Sequence, residues 1–446
     1  MEVTGKGSYA KGIYASENLT IRRAKVTATS TGSTGLYAIK TLEIVNSDVT
    51  ATGETGIDAG TLTMQNAAVV ATGNSKGQGV KLGSTINLDN SKLTATGGCG
   101  ASGTSMTLNL ENSEVIASGN PGISARYLTI RGGKVTATGT NKDGIGISVG
   151  VSGKLDIENA EVTATGSDGT VTCGAKVEGS VRIVNSTASF IGGRLTASSS
   201  TAASIGLKVA GDVTTSNSKL TFGGGDIGNY SGKSRGLYVE KGSVSIEGGT
   251  LHAYSSKGDP SDALVGIHLA KESPEHEISF TGNVEANIEG SGVGLLAASS
   301  NASFSDTAKV NITGGIVGLN AVNMSVTDSA AVNVTSHESS LGTIGVMLTR
   351  LAMYGGSLNV VTDDSTVQTA GIVTESFSVF GGTVNVKTGS GYSVGVYVRG
   401  EDGDVARIYD GKVTINAGAA TVANKSSMGI FVPHITALAS YLPSFL

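Results

Sequence analysis

The chain has no tryptophan, and its 446 residues include only 5 prolines and 2 cysteines, while aromatic residues make up 4% and charged residues 15%. Each shortage excludes something. Two cysteines cannot staple a chain of this length, so stability has to come from burial rather than from a disulfide framework. Cys99 and Cys173 fall three coils apart in the repeat register described below, out of each other's reach, and are expected to be free thiols. Lys and Arg total 31 against 36 Asp and Glu, a net charge of -5 with both signs scattered and no basic stripe, which argues against a nucleic-acid partner. No apolar run reaches the ~18 residues that a membrane-spanning helix needs. Met1–Gly5 reads as the last strand of a coil with no signal segment ahead of it, which implies a piece of a longer protein or one whose export signal has been removed.

What the chain does have is glycine, 66 residues of it, at regular intervals. The stretch Gly122–Gly139, GISARYLTIRGGKVTATG, is the unit from which nearly everything else is copied. It holds three apolar-polar alternations in a row: Ile123 and Ala125, Leu128 and Ile130, Val135 and Ala137. Period two means short strands with one face buried. Between the second and third strands stands Gly132, and the same place holds Asn46, Asn66, Asn90, Asn112, Asn159, Asn185, Gly248, Gly355, Gly381 and Asp410. These residue types tolerate a left-handed backbone, so a tight bend is expected there. The opening glycines, from Gly12 through Gly122 and Gly371 to Gly429, are 21 to 34 residues apart and count 17 coils. A three-strand unit of this kind cannot bury its own face and must stack on its neighbours, which makes a solenoid.

The early third strands read Val-Thr-Ala-Thr, with inward Ala28, Ala51, Ala137 and Ala164 implying a slim core. Between Thr170 and Pro274 the units lengthen, and Thr187–Gly193, Gly223–Arg235 and Ser255–Asp262 are expected as loops. From Gly294 the inward residue becomes Ile312, Val334, Val360, Val386 and Ile415, and the outward one before it becomes Asn311, Asn333, Asn359 and Asn385. The organisation expected is one domain over residues 1–432, followed by an apolar tail over 433–446 that caps the open end, with a membrane or partner contact as its alternative role.

The third residue of each opening strand points outward, giving a column that begins Tyr14, Tyr37, Asp58, Lys81, Ser102, Ser124, Ser148, Lys176, Lys208 and continues through Tyr238, His268 and Leu296 to Tyr397 and Phe431. Aromatic rings with a polar rim suit a sugar, offering an apolar surface and hydrogen bonds together. The carbohydrate-binding candidates are therefore Tyr14, Tyr37, Tyr238 and Tyr397, with Lys81, Lys176 and Lys208 to attract an acidic sugar. The same rings would also serve as a ladder that merely stabilises exposed strands. Paired outward threonines such as Thr27 and Thr29 resemble the flat ladders of ice-binding solenoids, although Val70 and Ile116 interrupt them. Asp363 and Asp364 read as a solubilising turn, and the five histidines, at 252, 268, 276, 337 and 434, as surface residues rather than metal ligands.

Coils of this length, three strands each, with an Asn-bearing bend, resemble the right-handed parallel β-helix. More narrowly, Leu128–Thr138, Val244–Gly249 and the Gly-apolar-x-apolar openings resemble the clostridial and gut-bacterial β-helix carbohydrate-binding domains, over roughly Gly12 to Val432. That resemblance implies an all-β, right-handed parallel β-helix, an extracellular or cell-surface location, and a polysaccharide partner of acidic or plant cell-wall type. Its relatives bind cellulose and pectate. The family often places Asp before the opening Gly, where carboxylates could hold calcium or face the sugar; here only Asp143 and Asp168 stand near that place, so no cofactor is expected unless calcium binds there. Neither the Gly-His-Gly nor the Arg-Ile-Lys of β-helix pectinases occurs, so no catalytic residue is assigned. The expectation is a non-catalytic polysaccharide binder, with a structural or adhesive stalk as the alternative and a polysaccharide lyase, hydrolase or ice-binding protein behind it.

Overall fold

The structure, a computed structural model, describes residues 1–199, 201–257, 264–270, 276–337, 342–399, 406–419 and 427–432. The expected tail over 433–446 and His434 lie outside the described residues, as does most of the loop expected at Ser255–Asp262. Among the described residues there is no helix: the chain is a parallel β-solenoid of about 15 turns, against 17 openings counted in the sequence. The opening at Gly429 contributes a single strand, Met428–Phe431, to the described residues. Two compact units are present, one formed by Met1–Val213 with Ser218–Lys233, the other by Thr214–Asn217 with the described residues from Ser234 onward.

In the first unit every coil pairs in parallel with the next, like residue on like. Val26, Val49, Val69, Leu93, Val115, Val135 and Val162 form one buried row, and Ala28, Ala51, Ala71, Ala95, Ala117, Ala137 and Ala164 form another beside it with no exposed surface. Glu2–Gly5 joins as a third strand, Val3 pairing with Ala28. The first and second strands of many coils are continuous rather than separate, as in Thr34–Val45 and Cys99–Glu111, with a shift in register at the gentle bend between them. The sharp bend follows the second strand, where Asn46, Asn66, Asn90, Asn112, Asn159 and Asn185 have φ between 45° and 52°. The serine after the bend explains the repeated Asn-Ser pair. Ser91 Oγ donates to the Asp89 carbonyl at 2.7 Å and accepts the Ala67 amide of the preceding coil at 3.1 Å, so a corner that would orphan backbone groups is satisfied.

The opening glycine has a steric reason. A Cβ on Gly122 would lie 2.8 Å from both Thr138 N and the Gly146 carbonyl, because the third strand of the same coil closes against the first across a core only one alanine thick. Thr187–Gly193, expected as a loop, is instead largely a strand, Thr187–Ile191, whose Ala188 and Phe190 are buried. Phe190 takes the place of Ala164 and stacks on Phe222 at 6.0 Å, so the core widens there by a ring.

The second unit keeps the register with larger residues inside. Ile288, Ile312, Val334, Val360 and Val386 replace the inward alanine, the change beginning one coil before Gly294. The glycine now makes room for a side chain: a Cβ on Gly371 would meet Val386 Cγ1 at 2.2 Å. Phe280 and Phe304, both without exposed surface, stack at 5.4 Å with planes 2° apart. The outward asparagines form a ladder in which Asn311, Asn333, Asn359 and Asn385 each donate Nδ2 to the Oδ1 of the preceding one, beginning at Asn287, at 2.9, 2.9, 2.8 and 2.7 Å. At two bends the left-handed residue is Gly356 or Gly382, one place after the expected Gly355 and Gly381.

Candidate functional site

The outer column of the opening strands exists as a register. In the first unit Tyr14, Tyr37, Asp58, Lys81, Ser102, Ser124, Ser148, Lys176 and Lys208 pair one after another on consecutive coils. In the second unit Tyr238, His268, Leu296, Asn320, Met347, Val373, Tyr397 and Phe431 do the same. The glycine immediately before this alternation fixes which residues face out.

Tyr14 and Tyr37 stack with centroids 5.5 Å apart and planes 7° apart. Rings side by side in one plane would have to stand further apart to clear their edge hydrogens, so these two overlap face to face with an offset. The Lys11 ammonium lies 5.2 and 5.0 Å from their centroids, within cation–π range of both. What the pair offers to solvent is ring edges, hydroxyls and the flank of Tyr14, which is 56% exposed. Lys81 Nζ is 3.2 Å from Asp58, and Lys176 Nζ is 2.6 Å from Glu178. The hydrogen bond from Lys176 also holds the Glu178 carboxyl below the usual carboxylate range.

Tyr238 meets His268 edge to face at 5.3 Å, with the Arg235 guanidinium 4.3 Å from its ring, and Tyr397 tilts against Phe431 at 5.2 Å. A larger ladder lies elsewhere in this unit. Tyr354, Phe380 and Tyr409 stack in a row, with centroids 5.1 and 5.2 Å apart and planes 7° apart at both steps, and are 59%, 38% and 38% exposed. Each follows the last inward residue of a second strand, and Met353, Val379 and Ile408 are in register beneath them. The signal was present in the sequence as Tyr-Gly-Gly, Phe-Gly-Gly and Tyr-Asp-Gly, but outside the opening-strand column.

The remaining candidates are placed as follows. Thr29, Thr52, Thr72, Thr96, Ser118, Thr138 and Thr165 form an unbroken hydroxyl row, whereas Val70 and Ile116 break the parallel row of Thr27 and Thr50. Alongside runs a charged column in which Lys92 pairs with Glu114 at 2.8 Å and Lys134 with Glu161 at 2.7 Å, a surface unlike a flat ice-matching face. Asp143 Oδ1 accepts the amides of Thr170 and Val171, and Asp168 Oδ1 accepts that of Arg194, so both carboxylates cap turns. Among the described residues no group of three or more His, Cys, Asp or Glu is placed to hold a metal. His337 Nδ1 pairs with Asp363 at 3.1 Å and His252 Nε2 with Glu289 at 3.3 Å. Cys99 and Cys173 are free thiols, and burial pushes the pKa of each up to about 11.

In comparisons with known proteins the chain matches no protein-family model, no curated protein and no solved structure.

Proposed function

We propose that this chain is a non-catalytic polysaccharide-binding protein of the extracellular space or cell surface. The observation that carries the reading is the first unit's outer column, where the exposed edge of the Tyr14–Tyr37 stack continues without a break into Asp58, Lys81 and the hydroxyls of Ser102, Ser124 and Ser148. An extended glycan laid along it finds apolar ring surface at one end and a hydrogen-bonding group on every coil thereafter. Such a surface holds a polymer by many weak, repeated contacts rather than in one deep pocket. Replacing Tyr14 and Tyr37 together by alanine is expected to reduce retention on the bound polysaccharide at least fivefold with the circular dichroism spectrum unchanged; undiminished retention removes the pair from the site.

A second reading, a structural or adhesive stalk with a protein partner, is favoured by the self-pairing of the column: Tyr14 on Tyr37, Asp58 with Lys81, Lys176 with Glu178. Under that reading the ladders stabilise the solenoid and no glycan is retained.

A further inference from the structure

We infer that the outer face of the second strands in the second unit is a binding site for a short segment of carboxylate-bearing glycan, seated between Tyr354 and Arg350; this rests on the polysaccharide reading above and names its sugar class. The strand Arg350–Met353 and the residue after it turn three side chains outward: Arg350, Ala352 and Tyr354. Arg350 and Tyr354 are four residues apart, about 13 Å of extended chain, enough for two or three sugar rings. Ala352 and Ser325, paired across adjacent coils, keep the floor between them low. The result is an open groove of ≈350 Å³ over these coils.

The two ends of that span are chemically distinct. Tyr354 is the terminal ring of the stacked ladder: one face lies on Phe380, and among the described residues no ring covers the other. That free face looks toward Thr327, the residue that follows Val326 on the preceding coil, where a sugar ring stacked on it would occupy the place of the next ring in the ladder, beside the Asp328 carboxylate that accepts from Thr327 Oγ1 at 2.8 Å. The chain of such a sugar runs along the strand direction, across Ser325 and toward Asn323, whose Nδ2 is committed to Asn301 Oδ1 at 2.8 Å, leaving its own Oδ1 as an acceptor for a sugar hydroxyl. At the far end stands Arg350, exposed and without an ion pair among the described residues, next to Asn323 in register. The groove lining carries two charges, Arg350 and Glu277, which stand at opposite ends of the column Glu277, Asn301, Asn323, Arg350, about 14 Å apart; with the Asp328 carboxylate beside the Tyr354 end, the Arg350 end is the one that receives a sugar carboxylate. An unpaired guanidinium beside an acceptor amide and facing a stacking ring selects a sugar acid over a neutral sugar, because its fork matches a carboxylate with two charge-assisted hydrogen bonds.

The test titrates the full chain with polygalacturonate and with fully methyl-esterified polygalacturonate, for the native sequence and for Arg350→Gln, Tyr354→Ala and Tyr354→Phe. Arg350→Gln is expected to weaken polygalacturonate binding at least tenfold and leave the esterified polymer unaffected. Tyr354→Ala is expected to weaken both polymers at least tenfold, and Tyr354→Phe to restore them. Binding of polygalacturonate that survives either Arg350→Gln or Tyr354→Ala overturns the inference and leaves the polysaccharide reading standing, as does a native chain that takes neutral glycans but no uronate. A native chain that binds no glycan at all overturns both.

Discussion

The asparagine ladder of the second unit makes a quantitative prediction that depends on position alone. Asn333 and Asn359 each donate one side-chain hydrogen bond and accept another, whereas Asn385 only donates and Asn287 only accepts. Asn333, Asn359 and Asn385 are all half-buried, so water partly replaces a lost partner and the net value of each bond is near the lower part of the usual range, about 0.5–1 kcal/mol. Replacing Asn359 or Asn333 by alanine removes two bonds and is expected to cost about 1–2 kcal/mol. Asn385→Ala removes one and is expected to cost about half as much. The change in strand preference is common to all three substitutions and cancels in the comparison. Urea unfolding followed by far-ultraviolet circular dichroism measures the differences, with tyrosine fluorescence as a second probe in a protein without tryptophan. Equal costs at Asn385 and Asn359 would show that the ladder is not an energetic unit and would refute the reasoning.

Other consequences are as direct. Phe304→Ala removes a fully buried ring stacked on Phe280 and is expected to cost about 3–5 kcal/mol in the same assay, with Phe304→Leu, which loses the stack but keeps most of the buried volume, costing clearly less; similar costs would mean that the stack rather than the filled volume carries the stability. Gly371→Ala drives a Cβ into Val386 Cγ1 and should be strongly destabilising, while Val386→Ala in the same chain should recover part of the loss; strict additivity would refute the steric explanation. Cys173 is 2% exposed with its pKa raised from 9.0 to about 11, so it should resist alkylation until the chain unfolds. Because the folded value lies above the unfolded one, its contribution is complete below pH 9 and is lost as pH rises toward 11, at most about 3 kcal/mol; a Cys173→Ala chain should lose less stability over that range, and an identical alkaline profile would contradict the assignment.

The architecture was legible because one residue type sets the register. Once Gly122 and its counterparts are placed, alternation dictates which neighbours face inward, and the pairing of Tyr14 with Tyr37 or Asp58 with Lys81 follows by counting. Where coils change length, counting fails. Thr187–Gly193 reads as inserted sequence because Phe190 stands where earlier coils have alanine, yet the strand persists and the core widens to take the ring. Counting places Lys176 as a residue to attract an acidic sugar but does not show its partner, because Glu178 lies beyond the strand, at a turn whose direction the alternation does not define. The ladder of Tyr354, Phe380 and Tyr409 escaped for a related reason: those residues belong to the bend, where period two has ended and only the aromatic residue before Gly-Gly or Asp-Gly marks the place.

The reading of these surfaces as glycan sites stands or falls on retention of the full chain by polysaccharides. Incubation with an array of plant, microbial and host glycans, followed by pull-down on insoluble cellulose and pectate, measures it directly. The account predicts capture by a defined class that includes uronate polymers. The absence of retention on every glycan would contradict it and leave the aromatic and asparagine ladders as supports of a stalk.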